Sequence, residues 1–191
     1  MIASTVTLNS CKKGSGDPLL TLRSRKARLV GTWTLSKQDQ SNTYTSGGTT
    51  NVSTRKVDGT TLTVTTGGTS AVGTYTETLD ITKDGKFTIN STETYSAGGS
   101  TFTTTEVVSG TWDFLSGVGD LKSKESIILK ALSITQTSGG TSSVNTYSQT
   151  NNGTTWKITT LKNKSLIVDS DDEQTASSVS SYKNHLEYEQ K

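Results

Sequence analysis

Pairs of turn-forming residues recur at short intervals from residue 47 onward, and they constrain the fold more than any other feature. Four pairs are Gly-Gly, two are Asp-Gly and one is Asn-Gly. Such pairs are typical of two-residue β-hairpin loops. No segment between them is long and periodic enough for the helix that connects parallel strands. The sequence therefore predicts an antiparallel, up-and-down meander. The turn signals lie at 47–48, 58–59, 67–68, 84–85, 98–99, 116–120, 139–140, 151–153, 162–163 and 169–173.

The order of these turns predicts which of them share an end of the meander. Successive hairpin turns lie at opposite ends of an antiparallel sheet. The four Gly-Gly pairs occupy odd places in the order, and the Asp-Gly and Asn-Gly pairs occupy even places. We therefore expect the Gly-Gly loops to rim one end, called the mouth, and the tighter turns to close the other end, called the floor.

The tripeptide Gly-Thr-Trp occurs twice, at 31–33 and at 110–112. Gly has no side chain and lets two backbones approach closely, and the indole that follows can fill the bottom of a β-structure. The alternation of neighbouring strands places two Phe residues on the same inward face. The residues expected at the floor are Trp33, Trp112, Phe87 and Phe114.

The composition favours an all-β domain over a disordered chain. Of the 191 residues, 38 are Thr and 27 are Ser, and only 29% are hydrophobic. Low hydrophobicity is typical of disorder, but Thr is β-branched and suits strands, and aromatic residues recur within the periodic segments. The net charge of +2 lacks the basic excess of a nucleic-acid binder. No apolar run reaches the roughly 18 residues of a membrane-spanning helix.

The N-terminal segment ends in a sequence that resembles a bacterial lipobox, Leu-Asn-Ser-Cys at 8–11. The polar stretch 12–16 that follows is typical of a tether, so we expect 1–18 to be a lipobox-like N-terminus and flexible tether. Residues 1–10 lack the basic and apolar regions of a signal peptide. We expect Cys11 to carry lipid in the full-length natural protein, which would anchor it in the cell envelope. The alternative is a tail with a free thiol. As the single Cys, Cys11 forms no intramolecular disulfide.

Apolar residues fall at near-helical spacing between Leu19 and Leu29, after Asp17-Pro18. This pattern predicts one short helix, with Arg23, Arg25 and Arg28 on its surface. We favour a helix that caps the barrel floor. A basic helix that faces a membrane is the alternative.

Three consecutive strands are expected to point carboxylates into the mouth half of the barrel. On the face that carries the large apolar residues near the floor, Glu77, Glu93 and Glu106 lie at similar heights. Buried carboxylates need water, a cation, a basic partner or protonation. We expect a site for a ligand or cation, and the alternatives are a wet rim or a β-bulge that turns these residues outward. The candidate ligand-binding residues are Glu77, Glu93, Glu106, Tyr75, Tyr95 and Phe102.

Four motifs follow one another along the chain. They are Leu-Val-Gly-Thr-Trp-Thr-Leu at 29–35, Thr-Lys-Asp-Gly-Lys-Phe at 82–87, Ser-Gly-Thr-Trp-Asp-Phe at 109–114, and the Trp-Lys-Ile of 156–158 with its hairpin. In this order, after a short helix, they resemble the lipocalin-like lipoproteins of Gram-negative bacteria. The resemblance implies one up-and-down barrel over 19–191, with an open mouth and an internal cavity. It supplies no catalytic residues, and the Thr-Asp-Tyr motif of the better-known lipocalins is missing.

These patterns favour a lipid-anchored cell-envelope protein that binds a small molecule in its barrel mouth. The alternative is a surface or periplasmic interaction module with a filled barrel. An enzyme is disfavoured because no nucleophile and base form a recognisable set. We expect no cofactor and no metal: the acidic stretch 169–173 lacks the Gly and spacing of an EF-hand loop and is interpreted as a solvated turn, and His185 is expected to face water without a second ligand.

Overall fold

The computed structural model describes residues 15–18, 23–97, 100–115, 125–147, 153–175 and 179–190. Within them the chain forms one short helix, α1 (Arg25–Leu29), and eleven strands. The strands are β1 (Gly31–Ser46), β2 (Thr49–Asp58), β3 (Thr61–Thr66), β4 (Thr69–Ile81), β5 (Lys86–Ala97), β6 (Ser100–Phe114), β7 (Ser126–Ser138), β8 (Thr141–Thr146), β9 (Gly153–Leu161), β10 (Ser165–Thr175) and β11 (Val179–Gln190).

All strand pairings are antiparallel, and the sheet closes on itself as a barrel. The order is β6-β5-β4-β3-β2-β1-β11-β10-β9-β7-β8, and an additional pairing of β6 with β7 joins the two ends. Ten strands form this circuit, while β8 pairs with β7 alone. The predicted all-β, up-and-down barrel with a short N-terminal helix is therefore confirmed.

The barrel is narrower at the floor than at the mouth because the β2–β3 hairpin is inserted partway up its wall. At the floor, Gly31–Thr34 of β1 pairs directly with β4, and β7 pairs directly with β9. Above this level the β2–β3 hairpin separates β1 from β4, and β8 replaces β9 beside β7. Eight strands thus surround the floor, and ten surround the mouth. An eight-stranded ring has an interior that side chains can fill, and a larger ring encloses more space.

Each change of strand partner coincides with a register shift. In β1 the shift lies between Leu35 and Lys37, where the partner of β1 changes from β4 to β2. Ser36, between them, accepts a hydrogen bond through its carbonyl from the N–H of Gly59, at 2.9 Å. In β7 the shift surrounds Leu132, where the partner changes from β9 to β8. A bulge bends its strand, and both bulges lie where the neighbouring strand changes.

Three of the four Gly-Gly turns lie at the mouth, as their order predicts, and 98–99 falls outside the described residues. Both Gly of each described pair have positive φ, for example 57° at Gly47 and 78° at Gly48. This backbone conformation suits hairpins and costs Gly least. The turn at 58–59 ends the inserted hairpin partway up the wall, so it does not reach the floor.

Two predicted turns are wrong. The stretch 169–173 belongs to β10, whose pairing with β11 continues to Thr175. Its acidic residues suggested a solvated turn, but alternate side chains of a strand can face water without ending it. The connection that contains 151–153 is not a hairpin turn, because β8 and β9 both run antiparallel to β7 and so run in the same direction.

The floor half of the barrel is filled by apolar side chains. Trp33 is fully buried, and its Nε1 donates to the carbonyl of Leu29 at 2.8 Å. Trp112 is also buried, and its Nε1 donates to the carbonyl of Thr82 at 3.0 Å. Phe87 is buried as well, and half-buried Phe114 meets the Trp112 ring edge-on at 5.5 Å.

The Gly residues of the two Gly-Thr-Trp motifs are needed for different reasons, a close backbone contact at Gly110 and a positive φ at Gly31. A Cβ at Gly110 would lie 2.0 Å from the carbonyl oxygen of Lys130, and one at Gly31 would lie 2.0 Å from Nε2 of Gln190. Gly31 also has a φ of +147°. Both positions therefore depend on the missing side chain of Gly.

The N-terminal part of the described chain closes the floor with buried charges. Asp17 pairs with Arg25, and its Oδ1 accepts a hydrogen bond from the N–H of Leu161 at 2.8 Å. Arg28 donates to the carbonyl of Leu161 and lies 3.9 Å from Asp17. Burial lowers the pKa of Arg25. The expectation that Arg25 and Arg28 lie on the surface is therefore wrong: both are buried, because a carboxylate and strand carbonyls compensate their charges.

Within the described residues, the helix is shorter than predicted. It begins after Ser24, whose hydroxyl accepts from the N–H of Ala27, and it contacts β9 at the floor. Residues 19–22, which the prediction included, lie outside the described residues. Gly16 donates to the carbonyl of Thr159 at 2.8 Å, so contacts with the barrel begin before residue 19.

Thr and Ser side chains cover one side of the barrel near the mouth. Across β3 to β8, the outward-facing positions above the floor carry no charged residue in the described part of the chain. Facing hydroxyls bond across the strands, for example Thr65 with Ser70 at 2.8 Å and Thr137 with Ser142 at 2.7 Å. Charged residues are instead concentrated on the outer face of β1, β2, β10 and β11.

Replacing Trp33 or Trp112 by Ala is expected to lower the free energy of unfolding by about 3–5 kcal/mol, because each change leaves a cavity at the floor. Urea denaturation of each variant measures this loss. Val72→Ala is the control, since Val72 is 63% exposed near the mouth. Losses below about 1 kcal/mol for both Trp variants would show that the floor does not depend on these side chains.

Candidate functional site

A polar cavity of about 370 Å³ lies inside the mouth half of the barrel, above the apolar core. It occupies the part of the barrel that the inserted β2–β3 hairpin widens. Both charge signs, three amides, two hydroxyls and one phenol line it. The lining residues are Gln38, Gln40, Arg55, Tyr75, Ser91, Glu93, Thr104, Glu106 and Gln136.

Glu77 is the deepest of the three predicted carboxylates, and two Tyr hydroxyls hold it. The hydroxyl of Tyr75 donates to Oε2 at 2.5 Å, and the hydroxyl of Tyr188 donates to Oε1. Burial raises the pKa of Glu77, and the nearby Glu106 adds to this, while the two Tyr hydroxyls and Arg55 oppose it. Both carboxylate oxygens already have partners, so Glu77 supports the cavity from below and is not among its lining residues.

Glu93 is compensated by a basic partner, Arg55. Nη2 of Arg55 lies 2.6 Å from Oε2 of Glu93, and Nε of Arg55 donates to Oε1 of Gln38 at 3.2 Å. The guanidinium lies 4.4 Å from the centre of the Tyr75 ring. Burial works against the charged form of Arg55, but the hydrogen bond and attraction to Glu93 outweigh it and raise the pKa of Arg55. This pair is neutral as a unit.

Glu106 is the carboxylate without a partner. It is half-buried on β6, in register with Ser91 of β5 and Gln136 of β7, and all three line the cavity. Within the described part of the chain no hydrogen bond or ion pair compensates it. The cavity therefore carries one acceptor group that the protein itself does not satisfy.

Tyr95 and Phe102 lie closer to the rim, directly opposite each other in the β5–β6 register. Tyr95 is half-buried, and burial followed by its contact with Glu93 raises the pKa of its hydroxyl. Phe102 is 58% exposed and does not line the cavity. The structure thus brings Tyr75, Glu93 and Glu106 together in the cavity wall, and it places Tyr95 and Phe102 above them.

Arg55, Gln38 and Tyr188 are functional candidates that the sequence interpretation missed. Arg55 lies two residues before buried Val57, so the period-two pattern of β2 already placed it on the inward face. Gln38 was harder to find, because the bulge at Ser36 shifts the inward positions of β1 by one residue.

His185 lies on the outer face of β11, where its side chain is 39% exposed. Its Nδ1 is 2.6 Å from Asp169, and its Nε2 is 3.4 Å from Glu187. Burial disfavours the charged imidazole, but Asp169 and then Glu187 outweigh it and raise the pKa of His185. Among the described residues, no group of three or more His, Cys, Asp or Glu side chains is arranged to hold a metal ion.

The predicted lipid-attachment residue, Cys11, lies outside the described residues. In the part of the chain that the structure covers, no helix is long and apolar enough to cross a membrane. Comparison with protein-family models finds no match, and comparisons with curated proteins and with solved structures find no similar chain. The ten-strand antiparallel barrel is consistent with a lipocalin-like fold.

Glu77→Gln is expected to change the pH dependence of stability. The raised pKa means that the native state keeps a proton that the unfolded state releases, so the parent loses stability as pH rises from about 4.3 through the native pKa. The Gln side chain does not titrate, so the variant gains stability relative to the parent over that pH range. Urea denaturation across this range measures the difference.

The matched control is Glu189→Gln, which changes an exposed carboxylate on the outer face. NMR titration of the side-chain carboxyl carbons gives the native pKa of Glu77 directly. An ordinary pKa for Glu77, with parallel stability curves for the parent and Glu77→Gln, would contradict the burial of this carboxyl group.

Proposed function

We propose that this chain is a lipid-anchored cell-envelope protein whose barrel mouth binds a small molecule that carries a positively charged amine. The observation that carries the proposal is the uncompensated carboxylate of Glu106 in a polar cavity. A buried or half-buried charge without a partner is costly to a protein. A cationic ligand removes that cost when it binds.

The three glutamates have different roles in this proposal. Glu77 is held by two Tyr hydroxyls, and Glu93 is held by Arg55. Only Glu106 is left to bind an ammonium group. The guanidinium of Arg55 is already paired with Glu93, so it is not available to bind a simple anion. Gln136, Ser91 and Thr104 beside Glu106 offer donors and acceptors to hydroxyl or amide groups of the same ligand.

The size of the cavity favours a compact ligand. Its volume is about 370 Å³. It lies at the lower end of the range of roughly 300–1,000 Å³ that is typical of ligand pockets. Beneath it the core is filled, so a long acyl chain has no room to extend toward the floor.

The envelope location rests on the sequence around Cys11 and on the polar stretch that follows it. A lipid on Cys11 would hold the barrel at a membrane surface by its floor side, since Gly16 contacts β9 near the floor. The mouth, at the opposite end, then faces away from the anchor. This arrangement leaves the cavity open to ligands in the surrounding solution.

A second candidate function, an interaction module, is favoured by apolar side chains exposed near the mouth. Each described Gly-Gly hairpin carries at least one of them, and Phe102 projects from the β5–β6 hairpin. Exposed apolar side chains can contribute to protein contact sites. The exposed residues of this kind are Tyr44, Val52, Val72, Phe102, Val107 and Val144.

Glu106→Gln is expected to weaken the binding of a small primary amine about 10- to 100-fold, because it replaces a charge-assisted hydrogen bond by a neutral one. The probes are ethanolamine, benzylamine and 1,5-diaminopentane, each titrated into the protein by calorimetry. Alcohols of the same shape are the ligand controls. Glu189→Gln removes a carboxylate outside the cavity and should leave binding unchanged.

Equal affinities for Glu106→Gln and the parent would reject Glu106 as the amine-binding group. Two results together would reject the small-molecule function and leave the interaction module. The first is that no amine binds. The second is that native mass spectrometry finds no ligand on protein purified from its own envelope.

Cys11→Ser is expected to abolish incorporation of labelled palmitate when the chain is expressed behind a lipoprotein signal peptide, because the lipid is attached through the thiol of this residue. Labelled protein is detected on a gel after immunoprecipitation. Ser10→Ala is the control, because it changes the preceding residue and keeps the thiol of Cys11. Equal labelling of the Cys11→Ser protein would show that the lipid is attached elsewhere.

A further inference from the structure

The barrel wall is split on the mouth side between β10 and the strands β8 and β9. The pairing of β9 with β10 ends at Lys157 and Asp169. Above this point β10 continues to Thr175 and pairs only with β11, while β8 pairs only with β7. No pairing joins β8 to β10 among the described residues, so the strands that surround the mouth leave a gap between β8 and β10.

The two sides of this split are exposed strand edges. One edge of β8 and one edge of residues 170–175 have backbone N–H and C=O groups without a strand partner in the described chain. Natural proteins usually protect such edges with Lys, Pro or a bulge, because a free edge recruits another strand. The β8 sequence, Thr-Ser-Ser-Val-Asn-Thr, has none of these features, and all six of its residues are exposed.

A cavity of about 310 Å³ lies at the base of the split. Thr154 and Thr155 line it from β9, and Ser170 and Asp171 line it from β10. Tyr182 of β11 forms its inner wall. The split is therefore a groove with a cavity at its base, and a side chain of a bound segment can enter that cavity.

Negative charge is concentrated on one side of the groove. Asp171 is exposed on the edge strand β10, whereas β8 has no charged residue. Lys183 is the register partner of Asp171, but it lies on β11, on the side of β10 away from the split. The groove thus presents backbone groups on both sides and the carboxylate of Asp171 on one.

We propose that this groove accepts an extended peptide segment with basic side chains, which pairs as an added strand and completes the mouth of the barrel. Backbone hydrogen bonds to the free edges supply affinity, and alternate side chains supply specificity. Alternate basic residues of the segment share one face and lie on the side of Asp171. The inference goes beyond the small-molecule site, because the groove lies outside the cavity that contains Glu106.

The test uses the full chain and a fluorescent, end-capped peptide, Lys-Thr-Lys-Val-Lys-Thr, whose binding is followed by anisotropy. Two control peptides separate the two sources of affinity. In one, Glu replaces each Lys. In the other, alternate backbone nitrogens are methylated, which keeps the charge but prevents strand pairing. We expect the parent peptide to bind at least tenfold more tightly than either control.

On the protein, Asp171→Lys is expected to weaken binding at least tenfold. Glu189→Lys is the matched control, because it makes the same charge change on the outer face of β11 near the floor. Hydrogen exchange should show new protection at the amides of 141–146 and 170–175 when the peptide binds.

Three outcomes would overturn the proposal: no binding of the basic peptide, equal losses in Asp171→Lys and Glu189→Lys, or binding without new protection at the two edges. Glu106→Gln should leave peptide binding unchanged. Failure of the amine-binding experiment therefore leaves this proposal standing, and the reverse also holds.

Discussion

The direct pairing of β1 with β4 at the floor is the constraint on which the rest of this structure depends. It closes an eight-stranded ring that side chains can fill, and Trp33 lies in the segment that makes the pairing. Once β1 passes the bulge at Ser36, its partner is β2, and the ring widens. A packed floor and an open mouth are thus two consequences of one change of partner.

The widening also explains how a chain with few apolar residues can form a barrel. Only the floor half needs a hydrophobic core, and 29% hydrophobic residues are enough to fill it. In the mouth half, Thr and Ser satisfy one another across the outer face, as in the pair Thr137–Ser142. Because β-branched Thr suits strands, the wall can extend above the core without additional apolar burial.

Buried charge is handled differently at the two ends of the barrel. At the floor, Asp17 compensates Arg25 and Arg28, and these contacts attach the N-terminal segment to β9. In the mouth, Arg55 compensates Glu93 but leaves Glu106 without a partner. The charges at the floor hold the N-terminal segment in place, although Nε of Arg25 and Nε and Nη2 of Arg28 have no hydrogen-bond partner within the described residues. Glu106 instead lines a cavity.

Local patterns in the sequence determined the strands, the Gly-Gly turns at the mouth and the shared inward face of Glu93 and Glu106, because turn chemistry and period-two alternation act over a few residues. Only the tertiary structure decided the β1–β4 pairing, the same direction of β8 and β9, and the continuation of β10 through 169–173. It also decided which charges find partners: Arg55 meets Glu93 from a strand 38 residues earlier in the chain. Such contacts depend on closure of the barrel, which joins segments that no local pattern links.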